Sequence, residues 1–257
     1  MSYRRLFVLI ATTACISPVL AEKRPVWEVG VGAVAGYGPT YWGSSESSAM
    51  GFPFIYFIYR GEDFSFLPNG LGFIDVENTE RFDFGLSVDF GGGIDSEDRL
   101  GYGDIDFVGE IGPEVTFGLY STGESRLQLK LGARAAFDFG DGYTGVVIEP
   151  ELAFVTKVSD TTRIGVSVAP RFGFDGYNQL FYGTPSFTAE DGYIGTDIGF
   201  EVSYDLSHRW RIIGDVHAIA LTGAVNEDSP LYQEDWNVDA RIGFTYAFWR
   251  SEEMTKD

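Results

Sequence analysis

Two histidines are available for proton transfer, His208 and His217. His217 shares one alternating face with Asp215 and Arg211, while Ser167 and Ser203 lie on polar faces elsewhere, so hydroxyl, imidazole and carboxylate are all present. A nucleophilic relay needs the serine held within hydrogen-bond reach of its base. No GxSxG turn and no HExxH helix occurs to arrange one. The acidic stretch Asp95-Ser96-Glu97-Asp98 with Asp104, and Glu227-Asp228 with Glu234-Asp235, offer hard oxygens of the kind Ca²⁺ takes, but without the spacing of a calcium loop. We therefore expect no catalytic residues, no cofactor and no dedicated metal site.

The larger chemical feature is a set of charges on the polar faces of alternating segments. Asp83, Asp89, Asp106, Glu110 and Glu114 are followed by Arg126, Lys130 and Arg134, then Glu149 and Glu151, then Arg163 and Arg171, then Asp197 and Glu201. Arg211, Asp215 and Arg241 continue the series. If consecutive segments are neighbouring strands, acidic staves stand beside basic ones, and cross-strand neighbours roughly 4.5–5.5 Å apart can pair directly. Such a wall either selects solutes in a channel or fills its own interior with ion pairs. A barrel of about twelve strands lies between the filled eight-stranded kind and open porins, and the filled or narrow interior is the expectation.

The elements that position these charges are strands. In 162–174 the odd positions carry Arg163, Gly165, Ser167, Ala169, Arg171 and Gly173, and the even ones Ile164, Val166, Val168, Phe172 and Phe174. Successive strand side chains point to opposite faces, so one face is apolar and the other polar or small. Segments 82–90, 126–139 and 236–248 split the same way, and 27–37, 105–119, 146–156, 194–204 and 210–220 follow with occasional lapses. A soluble sandwich also alternates, but its strands run about 5–6 residues. These approach the ~9–11 residues that cross a bilayer at a tilt, and their polar faces are rich in glycine, serine and alanine. Trp27, Tyr37, Tyr120, Tyr193, Trp210, Trp236 and Trp249 near segment ends fit interfacial girdles. The fold class is an all-β, antiparallel transmembrane β-barrel of about twelve strands, ten being possible.

The connections agree. Links 38–49, 93–104, 174–192 and 223–235 are long, whereas Gly61-Glu62, 77–80, 121–124, 158–160 and 206–208 are short. Outer-membrane barrels pair short periplasmic turns with longer outer loops. Within 50–80, segments 52–60, 63–67 and 71–76 must supply three strands. Tyr41, Trp42, Phe181 and Tyr182 fall on outer loops, free to meet a surface ligand or to pack over the mouth.

Export is written at the N-terminus. Arg4 and Arg5 precede an apolar run, Leu6 to Leu20, and Val19-Leu20-Ala21 supplies small residues for a peptidase. Residues 1–21 read as a cleaved signal peptide, 22–249 as the barrel and 250–257 as a polar periplasmic tail. Cleavage would take two of the 18 basic residues, leaving 16 against 38 acidic ones, a net charge of −22, and would remove Cys15, the sole cysteine. Disulfides and thiolate sites are then excluded, and nucleic acid, whose phosphates need Lys and Arg, is a poor partner.

The last segment, Arg241-Ile242-Gly243-Phe244-Thr245-Tyr246-Ala247-Phe248, resembles the assembly signal of outer-membrane proteins, with Gly243, Tyr246 and Phe248 at its marked positions. Gly38-Pro39-Thr40-Tyr41-Trp42-Gly43-Ser44, Phe52-Pro53-Phe54-Ile55-Tyr56, Gly101-Tyr102-Gly103-Asp104-Ile105, Phe181-Tyr182-Gly183-Thr184-Pro185 and Tyr204-x-Leu206-x-x-x-Trp210 recur in that order. Together they resemble the MipA/OmpV family, named for an MltA-interacting protein, over essentially the whole mature chain. The resemblance implies an outer-membrane barrel without catalytic residues. It also implies a scaffold between a periplasmic lytic transglycosylase and a murein synthase, with a narrow channel or an adhesin as the alternative. Outer-membrane lipid, lipopolysaccharide and the barrel-assembly machinery are the further partners expected.

Overall fold

The structure is a computed structural model that describes residues 24–60, 65–66, 82–91, 93–140 and 142–254. Eleven strands are present among them: β1 (Trp27–Pro39), β2 (Ser47–Arg60), β3 (Ser65–Phe66), β4 (Phe82–Gly91), β5 (Val108–Ser121), β6 (Ser125–Asp138), β7 (Gly142–Ser159), β8 (Thr162–Phe174), β9 (Gly192–Asp205), β10 (Trp210–Ala220) and β11 (Trp236–Arg250). One helix, α1 (Tyr177–Tyr182), lies in the β8–β9 link. The expected strand over 71–76, the turns at 61–62 and 77–80, and residues 1–21 lie outside the described residues.

The strands form one antiparallel sheet in the order β3-β2-β1-β11-β10-β9-β8-β7-β6-β5-β4, so the first long strand pairs with the last. The edge strands β3 and β4 approach one another, and the sheet curls round a lumen. Most strands run 10–18 residues, long enough to cross a bilayer at a tilt. The outward faces carry large exposed apolar side chains, among them Ile55, Phe84, Val166, Phe200, Ile242 and Trp249. Contiguous apolar exposure on this scale suits lipid rather than water.

Short turns join the strands at one end, at 122–124, 160–161 and 206–209; links 40–46, 175–191 and 221–235 gather at the other. One link at the long-loop end is itself short, 139–141, because β7 starts at Gly142, ahead of the expected 146. At the short-turn end, Val26 N–H donates to the Glu253 carbonyl and Ser251 N–H to that of Trp27, both at 2.9 Å, and Pro25 bridges Met254. Residues 25–27 and 251–254 are thus tied to each other beneath the wall.

The hydrophobic core sits at the long-loop end. Lumen-facing Val108, Ala136 and Val147 of the wall meet Tyr41, Ile94, Ile105, Tyr177, Tyr182 and Leu231 from the links. A bulge helps build it. Arg171 pairs with Gly195 but Phe172 with Tyr193, so Ile194 is an extra residue in β9. That extra residue reverses the alternation above it. Ile194 joins the core, and Tyr193 meets Phe172, centroids 5.6 Å apart.

Candidate functional site

Four links converge to seal the mouth. Tyr41 hydroxyl donates to the Leu231 carbonyl at 2.9 Å, Tyr182 hydroxyl to that of Trp42 at 2.9 Å, and Ser229 Oγ to that of Tyr182 at 2.6 Å. Arg99, in a turn of 3₁₀ helix at Ser96–Arg99, donates from Nη2 to the Leu180 carbonyl at 2.8 Å. Burial raises the phenol pKa values of Tyr41, Tyr177 and Tyr182, so all three stay protonated donors at neutral pH. Tyr41 and Tyr182 are buried, and Trp42 and Phe181 pack against the same core. Of the two expected placements for these aromatics, packing over the mouth is the one observed.

Asn237 of β11 holds the first link. Its Oδ1 accepts from Gly43 N–H at 2.6 Å and its Nδ2 donates to the Ser44 carbonyl at 2.9 Å, with the side chain buried. Asn237→Ala leaves two buried backbone groups unpaired, each costing about 1–3 kcal/mol. Limited proteolysis should then cut within 40–46, where the parent barrel resists, and the unfolding midpoint should fall.

Beneath the plug the charges pair, and they do so across the lumen as well as between neighbours. Arg134 Nε donates to Glu110 at 2.9 Å, and Arg171 reaches Glu149 at 3.1 Å, Asp89 at 3.7 Å and Glu110. Arg171 is on β8 and Glu110 on β5, three strands away, so wall curvature makes this contact. Tyr177 hydroxyl donates to Glu110 at 3.0 Å and accepts from Arg171, whose guanidinium also lies 5.3 Å from the Trp42 ring. Lower down, Lys130 pairs with Glu151 at 3.0 Å, and Asp205 takes Arg163 at 2.8 Å and Arg211 at 2.6 Å. Arg126 and Glu114 are buried in the same wall.

Asp106 departs from expectation. Strand β5 starts at Val108, because Ile105 forms a bridge with Ile94, and Asp106 is left exposed in the link rather than inside the lumen. The side chain of Asp83 lies outside the described residues. Arg211 pairs with Asp205. Asp205 and Asp239 were not among the expected residues, although the inward parity of 197 and 201, and of 237 and 241, points to both.

His217 sits between carboxylates. Its Nδ1 is 2.8 Å from Asp197, and its Nε2 is 3.4 Å from Asp215 and 3.0 Å from Arg241, which itself donates to Asp215 at 2.7 Å. Ser167 and His217 flank Gly199 in register, but Nε2 turns toward Asp215 and Arg241. Ser203 pairs with Arg163 and Ile213 positions further along. A relay through Nε2 to either serine is therefore not assembled. Among the described residues, Asp215, His217 and Asp239 are the one group of three that could hold a metal ion, and Arg241 occupies the space between the first two. The acidic links do not gather into such a group.

In the last strand, Gly243 stands against Ala33 and Val34, Tyr246 stacks on Trp210 with centroids 4.7 Å apart, and Phe248 is the extra residue of a bulge between Ala247 and Trp249.

Among solved structures, the NanC porin is 6% identical over 86% of this chain and 100% of its own, with a TM-score of 0.39. OmpT of Vibrio cholerae is 11% identical over 86% and 97%, TM-score 0.39, and OprG from Pseudomonas aeruginosa 13% over 88% and 97%, TM-score 0.27. No curated protein matches the chain. The family model described as MltA-interacting protein MipA matches residues 31–248, nearly the whole span from β1 to β11. This outer-membrane β-barrel chain belongs to the MipA family.

Proposed function

We propose that this barrel is a non-enzymatic anchor in the outer membrane for a murein-hydrolase and murein-synthase assembly, and not a diffusion pore. The observation that carries this reading is the plug: four links with a shared hydrophobic core cover the outer mouth above a lumen crossed by ion pairs. Long links mark that end as outer and short turns the other as periplasmic. The family description supplies the partner class, an MltA-type lytic transglycosylase. With turns of a few residues, the periplasmic contact falls to the paired segments Pro25–Trp27 and Ser251–Met254. Residues 1–21 are read as the removed export signal, and β11, with Gly243, Tyr246 and Phe248, as the strand engaged by the barrel-assembly machinery. Lipid and lipopolysaccharide surround the apolar outer face.

A cavity of about 290 Å³ inside the lumen favours a narrow channel as the second reading. Planar-bilayer recording separates the two: the anchor reading expects no steady conductance, and a large open channel would overturn it. In parallel, immobilised full-length barrel should retain an MltA-type transglycosylase, and deleting 251–257 should weaken retention at least tenfold. Failure of the intact barrel to retain the enzyme removes the scaffold role.

A further inference from the structure

The lining of the cavity beneath the plug carries more carboxylates than cations. It holds eight carboxylates against four permanent cations and one histidine. The cations are engaged: Lys130 with Glu151, Arg134 and Arg171 with the Glu110–Glu149 cluster, and Arg241 with Asp215. The imidazole of His217 is held by Asp197.

The excess falls on Glu201. Among the described residues its carboxylate makes no hydrogen bond and no ion pair, although it lines the cavity. Its register partner on β10 is Asp215 and on β8 Gly165, so one neighbour repels it and the other offers nothing. Like charges directly opposed across an antiparallel pair are destabilising. Asp215 is relieved directly by Arg241, its register partner on β11, whereas Glu201 feels Lys130, Arg211 and Arg241 only at longer range. At the top of the same cavity stands Trp42, a ring that already receives one guanidinium.

From this geometry we propose that the lumen cavity binds a small aliphatic amine cation, its ammonium seated at Glu201. The size fits: about 290 Å³ lies at the lower bound of small-molecule pockets, which run about 300–1,000 Å³. A carboxylate in a walled cavity and an aromatic face are groups that attract ammonium ions. A divalent metal is the less suitable occupant, because Arg241 fills the notch where Asp215, His217 and Asp239 converge. This inference is independent of which protein the periplasmic face binds.

Calorimetric titration of putrescine into folded, detergent-solubilised barrel tests it, with Ca²⁺ and glutamate as second and third titrants. The expected result is saturable putrescine binding, weakened at least tenfold in Glu201→Gln, with no binding of glutamate. Glu201→Gln should also raise the melting temperature by about 1–3 °C, because it removes one of two opposed like charges. No putrescine binding, or equal affinity in the variant, overturns the proposal. So does a Glu201-dependent Ca²⁺ response without an amine response, which assigns the site to a metal. A lowered melting temperature in Glu201→Gln would make the carboxylate a paired structural group and overturn it equally.

Discussion

Replacing Arg171 by alanine is expected to cost the folded barrel about 3–5 kcal/mol and to unseat the plug. The guanidinium joins three carboxylates, Glu110, Glu149 and Asp89, to the ceiling of the lumen through the Tyr177 hydroxyl and the Trp42 ring. Glu110 is 5% exposed and keeps Arg134 as its remaining cation, so removal of Arg171 leaves buried negative charge short of a partner. Breaking a buried pair by deleting one member is more damaging than never having built it, because the desolvation cost of the survivor remains. Lysine should rescue only in part, since a single ammonium cannot reproduce a fork that meets Glu110, Glu149 and Tyr177 together. The measurements are the unfolding midpoint, read from the gel shift between folded and heated barrel, and bilayer conductance. An unchanged midpoint with a still-silent bilayer would show that Arg171 latches nothing.

What the sequence made legible was the wall. Outward residues face lipid and inward ones the lumen, so alternation marks a strand directly, and 162–174 and 210–220 coincide with β8 and β10 end for end. Alternation fails where a bulge adds a residue. Ile194 is apolar on either parity, so nothing in the string reveals that it turns inward. The plug was harder to read. Tyr41 and Leu231 meet across 190 positions, and a loop aromatic carries no mark of whether it is solvated or buried. Helix α1 spans six residues, too few for a helical period to repeat. Among the charges, strand order predicts adjacent pairs such as Lys130–Glu151, whereas Arg171–Glu110 spans three strands and depends on curvature that no pairwise register contains.

The second large effect is expected at Gly112, which illustrates how that curvature is accommodated. A Cβ built there would stand 1.9 Å from the Ala133 carbonyl oxygen and 2.7 Å from Arg134 Cα, both backbone atoms of the adjoining strand β6. Neither can rotate away as a side chain would, so any larger residue must push β5 off β6. The ladder is already weak at this point. Pro113 has no N–H to donate, and the register runs from Ile111–Ala135 to Glu114–Gly132 with no pairing between. On the same inward face, the 2.9 Å contact of Arg134 with Glu110 would be pulled apart with the backbone. Overpacking alone costs about 1–3 kcal/mol, and the strained ion pair adds to it. Gly112→Val should therefore fail to reach the heat-modifiable folded form, or unfold at much lower denaturant. Gly85→Val supplies the contrast. Gly85 lies on β4 opposite Glu114, one strand over, and a Cβ there meets nothing within 4 Å, so valine should be tolerated. Equal folding yields from both variants would mean that β5 can part from β6 without loss, and that the crossing contacts of the lumen do not depend on this close approach.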